Sequence, residues 1–228
     1  MRLWHVGAFL GLLIVCSLPS NTWAISASQT DDFENGTTLS WTDGSGGANV
    51  ANITTGGPAG ANDNYLQISS GSFCGSARLV TFNQSQWVGN YAGAGVSQIA
   101  MDLKNLGSST IPIRIAIREG TGGSGTPGYA STTGFSLPAD GLWHHAIFAL
   151  TAGTMTPINS PQPFATDLAS VQDFRLLSST APSLVGDSIS ARVGVDNITT
   201  VVPEPGALMA ASLLLAARFM SRRSSLAK

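Results

Sequence analysis

Three acids at opposite ends of one stretch of chain are the first residues whose types could do chemistry. Asp32 and Glu34 precede the Asn35-Gly36 turn signal, and Asp196 falls in the late pattern Val195-Asp196-Asn197-Ile198. First and last strands often neighbour each other in β-sandwiches, which would bring Asp32 or Glu34 near Asp196. Two carboxylates with backbone carbonyls make a hard oxygen site suited to Ca²⁺. The competing reading is that these acids are solvated turn residues, or that Asp196 accepts backbone N–H bonds. A second set is aromatic: Trp87, Tyr91, Tyr129 and Trp143. Sugar recognition needs flat, exposed aromatic faces beside polar groups. Trp87 and Tyr91 lie in the Gln84–Gly95 connection, where exposure is expected. Trp41 and Trp143 lie in apolar-patterned surroundings that more often mark a core.

Other chemistry finds less support. His144 and His145 are adjacent on a strand pattern, so they face opposite sides and cannot chelate one ion together. A glycosidase wants two carboxylates about 5–10 Å apart across a cleft, whereas the acids here stand singly, mostly at turns. No Gly-x-Ser-x-Gly elbow occurs. The Gly120–Gly128 stretch has no Lys-Ser or Lys-Thr after it, so it reads as a hairpin connection and not as a phosphate loop. Cys74 is the only cysteine besides Cys16. With Cys16 removed by processing, no internal disulfide can form, and no neighbour in sequence would activate the Cys74 thiol.

The elements that must position these residues read as strands. Ile111, Ile113, Ile115 and Ile117 alternate with Pro112, Arg114, Ala116 and Arg118. The period of two places four β-branched side chains on one face and both arginines on the other. Further strands are expected at 49–54, 65–69, 78–82, 96–103, 130–137, 142–150, 174–177 and 189–199, with one helical turn near 167–171. In the last strand Ile189, Ala191, Val193, Val195 and Asn197 share a face. Only 11 % of the 228 residues are charged and 26 are glycine, the composition of a turn-rich exported β-protein. Nine or ten short strands with almost no helix predict an all-β fold, a two-sheet antiparallel β-sandwich of jelly-roll type. No internal repeat points to a propeller or β-helix.

The ends read as addresses. Residues 1–24 have Arg2, an apolar core from Val6 to Val15, Pro19 and a Thr22-Trp23-Ala24 cleavage pattern, the parts of a signal peptide. Residues 25–30 read as a linker and residues 31–200 as the sandwich domain. Between residues 25 and 202 there are six basic and twelve acidic side chains. Such an acidic body repels phosphate, which argues against nucleic acid as a partner. Residues 201–228 hold Val202, Pro203, Glu204 and Pro205, an apolar helix pattern over 206–220, and Arg218, Arg222 and Arg223 in a basic tail over 218–228. The apolar run is shorter than the roughly 20 residues of a stable span, so it suits a transient stop or processing signal. The arginines would stay on the cytoplasmic side.

Val202-Pro203-Glu204-Pro205, the short apolar segment and the terminal arginine group together resemble the PEP-CTERM sorting signal of Gram-negative bacteria. Arg218 interrupts the apolar run early for that pattern. The resemblance implies an exosortase, a membrane-embedded transpeptidase-like enzyme, as partner. It also implies export through the inner membrane, transient retention there, and release to the cell surface or an exopolysaccharide and biofilm matrix. Phe33-Glu34 with Trp41, Gly141-Leu142-Trp143-His144-His145, and Val195-Asp196-Asn197-Ile198 resemble a carbohydrate-binding-module jelly roll across most of the 31–200 segment. That resemblance names Glu34 and Asp196 as the positions for a structural Ca²⁺, the one cofactor considered. The expected function is a non-catalytic surface or matrix protein with exopolysaccharide as ligand. The alternatives are a purely structural or adhesive matrix protein and, third, a polysaccharide-degrading enzyme.

Overall fold

Alternating side chains dictate paired strands, and fourteen are found among the described residues. The computed structural model describes residues 24–203, apart from residues 46, 74–75 and 121–124. In chain order the strands begin with β1 (Thr30–Asp31), β2 (Val50–Ile53), β3 (Tyr65–Ser69), β4 (Gly71–Phe73), β5 (Ser76–Arg78) and β6 (Val80–Asn83). The two long strands β7 (Gln98–Asn105) and β8 (Ile111–Arg118) follow, then β9 (Gly128–Ser131), β10 (Phe135–Leu137), β11 (Trp143–Ala149) and β12 (Met155–Ile158). A one-turn helix α1 (Phe164–Leu168) precedes β13 (Asp173–Ser178) and β14 (Arg192–Val201).

The first sheet runs β11-β7-β14-β3-β2, with β1 pairing the far half of β14. The second runs β12-β9-β8-β13-β6, with β10 beside the start of β8. Both are antiparallel, and β4 and β5 form a separate hairpin. The all-β, two-sheet antiparallel sandwich expected from the sequence is therefore what the chain forms. First and last strands do neighbour each other: Asp31 stands opposite Ile198.

Ile111, Ile113, Ile115 and Ile117 are all buried and pack against Ile99, Met101, Leu103, Val193 and Val195 from the other sheet. The arginines of β8 depart from expectation. Arg114 and Arg118 lie on the opposite face of the strand, yet they are 5 % and 1 % exposed. The cause is distant in sequence: the segment after β13 folds over that face, and Leu184 joins Val80, Ala116, Ala130 and Leu177 in a second small core. Arg114 donates to the carbonyls of Ser131, Thr132, Ser179 and Thr180 at 2.6–3.0 Å. Arg118 and Arg175 both reach Asp173, at 3.3 and 2.7 Å. The buried guanidinium groups thus meet carbonyl or carboxylate acceptors. Among the described residues, the outward face of the second sheet is largely buried and that of the first sheet is the more open.

Three local readings change. The helical turn forms earlier, at Phe164–Leu168, so Asp167 lies inside it and does not cap it. Residues 25–30, expected as a linker, are docked: Ile25 is buried and its N–H donates to the Val88 carbonyl at 2.8 Å. In β14 the register against β7 shifts between Asp196 and Thr199, where Asn197 has φ +51°. The bulge ends the alternation. Ile198 turns into the core, while the Asn197 side chain reaches Asp102, at 2.9 Å, on the outward face.

Candidate functional site

The outward face of the first sheet gathers its aromatic residues around one glycine. Trp143 on β11 faces Lys104 on β7, which in turn faces Gly194 on β14, and Gly194 faces Gln67 on β3. A Cβ on residue 194 would come within 3.0 Å of the Trp143 ring and 3.1 Å of the Tyr65 ring. Only glycine leaves room for these rings to meet there. They do so edge to face, with centroids 5.4 Å apart. The Trp143 indole N–H donates to the Gly56 carbonyl at 3.1 Å, and Lys104 Nζ lies 5.8 Å from the ring centre. Trp143 is half-buried, with Tyr65 beneath it. The result is a fixed indole with a cation, the Gln67 amide and exposed Ala51 on one surface. Such a surface can stack on an apolar ring face while polar groups take its substituents.

The other three proposed platform residues are corrected. Trp87 and Tyr91 are 0 % exposed and Tyr129 is 6 % exposed. The Gln84–Gly95 connection tucks inward because the polar tips of Trp87 and Tyr91 find partners there. The Trp41 and Trp87 indoles each donate to Asp31 Oδ2 at 2.7 Å, and Tyr91 donates to the Trp87 carbonyl at 2.9 Å. Trp87 stacks on Phe174 with centroids 5.2 Å apart. Tyr129 donates to the Gln162 carbonyl at 2.7 Å and packs against Phe164. Their faces are therefore occupied. Tyr65 is the aromatic residue that packs against Trp143. Its place in the Asn64-Tyr65-Leu66 pattern offers no signal of that, because the partner is 78 residues away.

A cluster of acids flanks this surface. Asp196 and Asp102 are direct cross-strand partners on β14 and β7. Asp196 is 1 % exposed, and its Oδ2 has no hydrogen-bond partner. Its Oδ1 accepts the Asn197 N–H at 2.7 Å. Burial pushes the Asp196 carboxyl up to about 7; the Asn197 N–H opposes this, while Asp63, Asp102 and Glu34 add to it. Glu34 is exposed, and its Oε1 accepts the Asn64 N–H at 2.7 Å. His145 Nδ1 and Asn197 Nδ2 hold Asp102 at 2.9 Å each. His144 instead meets Asp140 at 3.0 Å, so the two histidines serve different acids.

Whether a Ca²⁺ fits can be judged from these atoms. An orphaned, buried carboxylate oxygen among three further acids is an electrostatic deficit that a hard cation would fill. Among the described residues, no three His, Cys, Asp or Glu side chains converge to form a ready cage. Asp196 would therefore be the anchoring carboxylate, with Glu34 among the acids that act on it. A bound cation there would fix the β14 bulge; it has no reactive group to act on.

The fold is a two-sheet antiparallel β-sandwich like that of carbohydrate-binding modules. Among solved structures, the chain is similar to the family 11 carbohydrate-binding module of Clostridium thermocellum in complex with a β-1,3-1,4-mixed-linked tetrasaccharide. That likeness has 19 % identity and a TM-score of 0.51, and covers 78 % of this chain and 98 % of that one. A solution structure of the same type of module, studied for its dynamics and binding, gives 18 % identity and a TM-score of 0.51 over 82 % and 99 %. An exo-β-agarase matches 79 % of this chain with a TM-score of 0.55 at 13 % identity, but this chain spans only 25 % of that enzyme. At such identities the likeness establishes the fold. No protein-family model and no curated protein sequence matches the chain. Glu204, Pro205, Arg218, Arg222, Arg223, Cys74 and residues 1–23 of the expected signal peptide lie outside the described residues; Val202 and Pro203 follow β14 directly. No helix among the described residues is long and apolar enough to cross a membrane.

Proposed function

We propose that this chain is an exported, non-catalytic polysaccharide-binding module that engages neutral β-linked glycans through the outward face of its first sheet. One observation carries the reading: the partly exposed Trp143 indole, locked by Tyr65, the Gly194 gap and the Gly56 carbonyl, on the more open sheet face among the described residues. A rigid aromatic surface loses little conformational freedom on binding. The similarity to a module in complex with a mixed-linked tetrasaccharide and to an exo-β-agarase supports the ligand class. Ca²⁺ on Asp196, with Glu34, is a structural element of this reading. The C-terminal segment is the proposed exosortase signal, with inner-membrane retention followed by delivery to the cell surface or exopolysaccharide matrix. Its support is the resemblance of residues 202–228.

The test is a glycan array probed with the full chain and with Trp143→Ala, alongside an assay for released reducing ends. Binding to β-glucan or agar oligosaccharides that falls at least tenfold in the variant, with no reducing ends released, is the expected result. No glycan binding at all would favour a structural or adhesive matrix protein. Released reducing ends would make the chain an enzyme.

A further inference from the structure

At the other side of the molecule three separate segments bring oxygen atoms together around a second buried acid. Asp167 lies in α1, Glu119 follows β8, and Ser160 lies between β12 and α1. Asp167 is 1 % exposed, and its Oδ1 has no hydrogen-bond partner. Ser160 Oγ is 2.9 Å from Asp167 Oδ2 and 3.3 Å from Glu119 Oε1. One hydroxyl proton cannot serve both carboxylates. The Gln162 carbonyl is 3.4 Å from the same hydroxyl.

The Tyr129 hydroxyl gives its one proton to the Gln162 carbonyl at 2.7 Å. Arg118, adjacent to Glu119 in sequence, bonds Asp173. Burial first, and the facing Glu119 carboxyl second, push the Asp167 carboxyl up to about 7, while Ser160 opposes this. Two acceptors therefore face each other in a buried place with too few protons between them. A bridging water, a shared proton or a cation would satisfy them.

We propose that Asp167, Glu119, the Ser160 hydroxyl and the Gln162 carbonyl form a second divalent-cation site, selective for Ca²⁺. All four donors are oxygens, two of them anionic and two neutral, and they come from three different segments. That mixture suits a larger, geometrically tolerant ion better than Mg²⁺, which demands a near-ideal octahedron and keeps most of its waters. The cation ties the root of the β8–β9 connection to α1 and to the segment entering it. It lies apart from the Asp196 cluster and shares no residue with it.

Calcium titration of the chelator-treated full chain by calorimetry at pH 8 tests this, with Glu119→Gln, Asp167→Asn and Asp196→Asn in parallel. Glu119→Gln keeps the shape of a residue at a loop root, so it guards against loss of folding. Thermal unfolding of each apo protein checks the same point. The expected result is that Glu119→Gln and Asp167→Asn each lose one bound Ca²⁺ relative to the parent, whatever Asp196→Asn does. Terbium luminescence sensitised by nearby aromatic rings should fall in the same two variants. Unchanged stoichiometry in both would overturn the site. So would variants that merely flatten the pH dependence of stability near neutrality without altering Ca²⁺ uptake, since that result assigns the pair to a shared proton. Loss of calcium only in Asp196→Asn would overturn this site while sparing the other.

Discussion

Replacing Asp196 by asparagine should stabilise the protein in chelator at alkaline pH, although it alters a buried residue. In the folded chain this carboxyl titrates at about 7 against an ordinary 3.8, chiefly because it is buried. A shift of about three units at about 1.4 kcal/mol each amounts to about 4 kcal/mol. The sign follows from proton binding. The folded state holds a proton that the unfolded state has released between about pH 4 and pH 7, so stability falls as pH rises through that window. Above pH 7 the full cost is present; below pH 4 it vanishes. Asparagine carries no charge at any of these values. It keeps an oxygen for the Asn197 N–H and turns an amide donor toward Asp63, Asp102 and Glu34, the acids that act on this position. The variant should therefore unfold near the parent's temperature at pH 4 and on the order of 10 °C above it at pH 8, at about 2–4 °C per kcal/mol for a domain of this size. Thermal unfolding in chelator followed by circular dichroism reads this directly. Added Ca²⁺ should shrink or reverse the gap, because only the parent gains the binding free energy. A variant no more stable than the parent at pH 8 in chelator would refute the reasoning. A gap that does not change between pH 4 and pH 8 would refute it equally.

Two further perturbations probe the aromatic regions. Gly194→Ala would force a Cβ to within 3.0 Å of the Trp143 ring; overpacking of this kind costs about 1–3 kcal/mol. It should lower glycan binding at least tenfold by displacing the ring while the melting temperature falls only a few degrees, and unaltered affinity on the array would count against the site. Asp31→Ala would leave the Trp41 and Trp87 indole N–H groups without their shared acceptor, at about 1–3 kcal/mol for each buried donor. Urea unfolding should show a loss of several kcal/mol, with Asp31→Asn milder because its amide oxygen can still accept; equal losses would mean the acceptor role is wrong.

Parts of this architecture are legible in the chain itself. The alternation over Ile111–Ile117 needs no tertiary information, because neighbouring strand residues must point to opposite faces. Repeated short runs with glycine, asparagine and proline between them specify an antiparallel sandwich, and the first-to-last strand pairing placed Asp31 beside Ile198 as such folds require. The same alternation assigned Arg114 and Arg118 to the outward face correctly, yet did not reveal that they are buried there. Burial depended on Leu184 and the segment around it, some 70 residues further on. The Trp87 and Tyr91 assignments failed for the same reason: a glycine-flanked connection looks exposed until Asp31 supplies the buried acceptor that draws it inward.

Local sequence thus determined which residues are strands, which side chains share a face, and the motifs at the two ends on which the proposed sorting rests. Only the folded chain decided which face is the more open, that Trp143 and Tyr65 meet across Gly194, and that Asp196 and Asp167 lie buried with an oxygen unsatisfied. The reason is one of range. Alternation is set by the backbone residue by residue, whereas exposure and electrostatic deficit are set by whichever distant segment comes to cover a face.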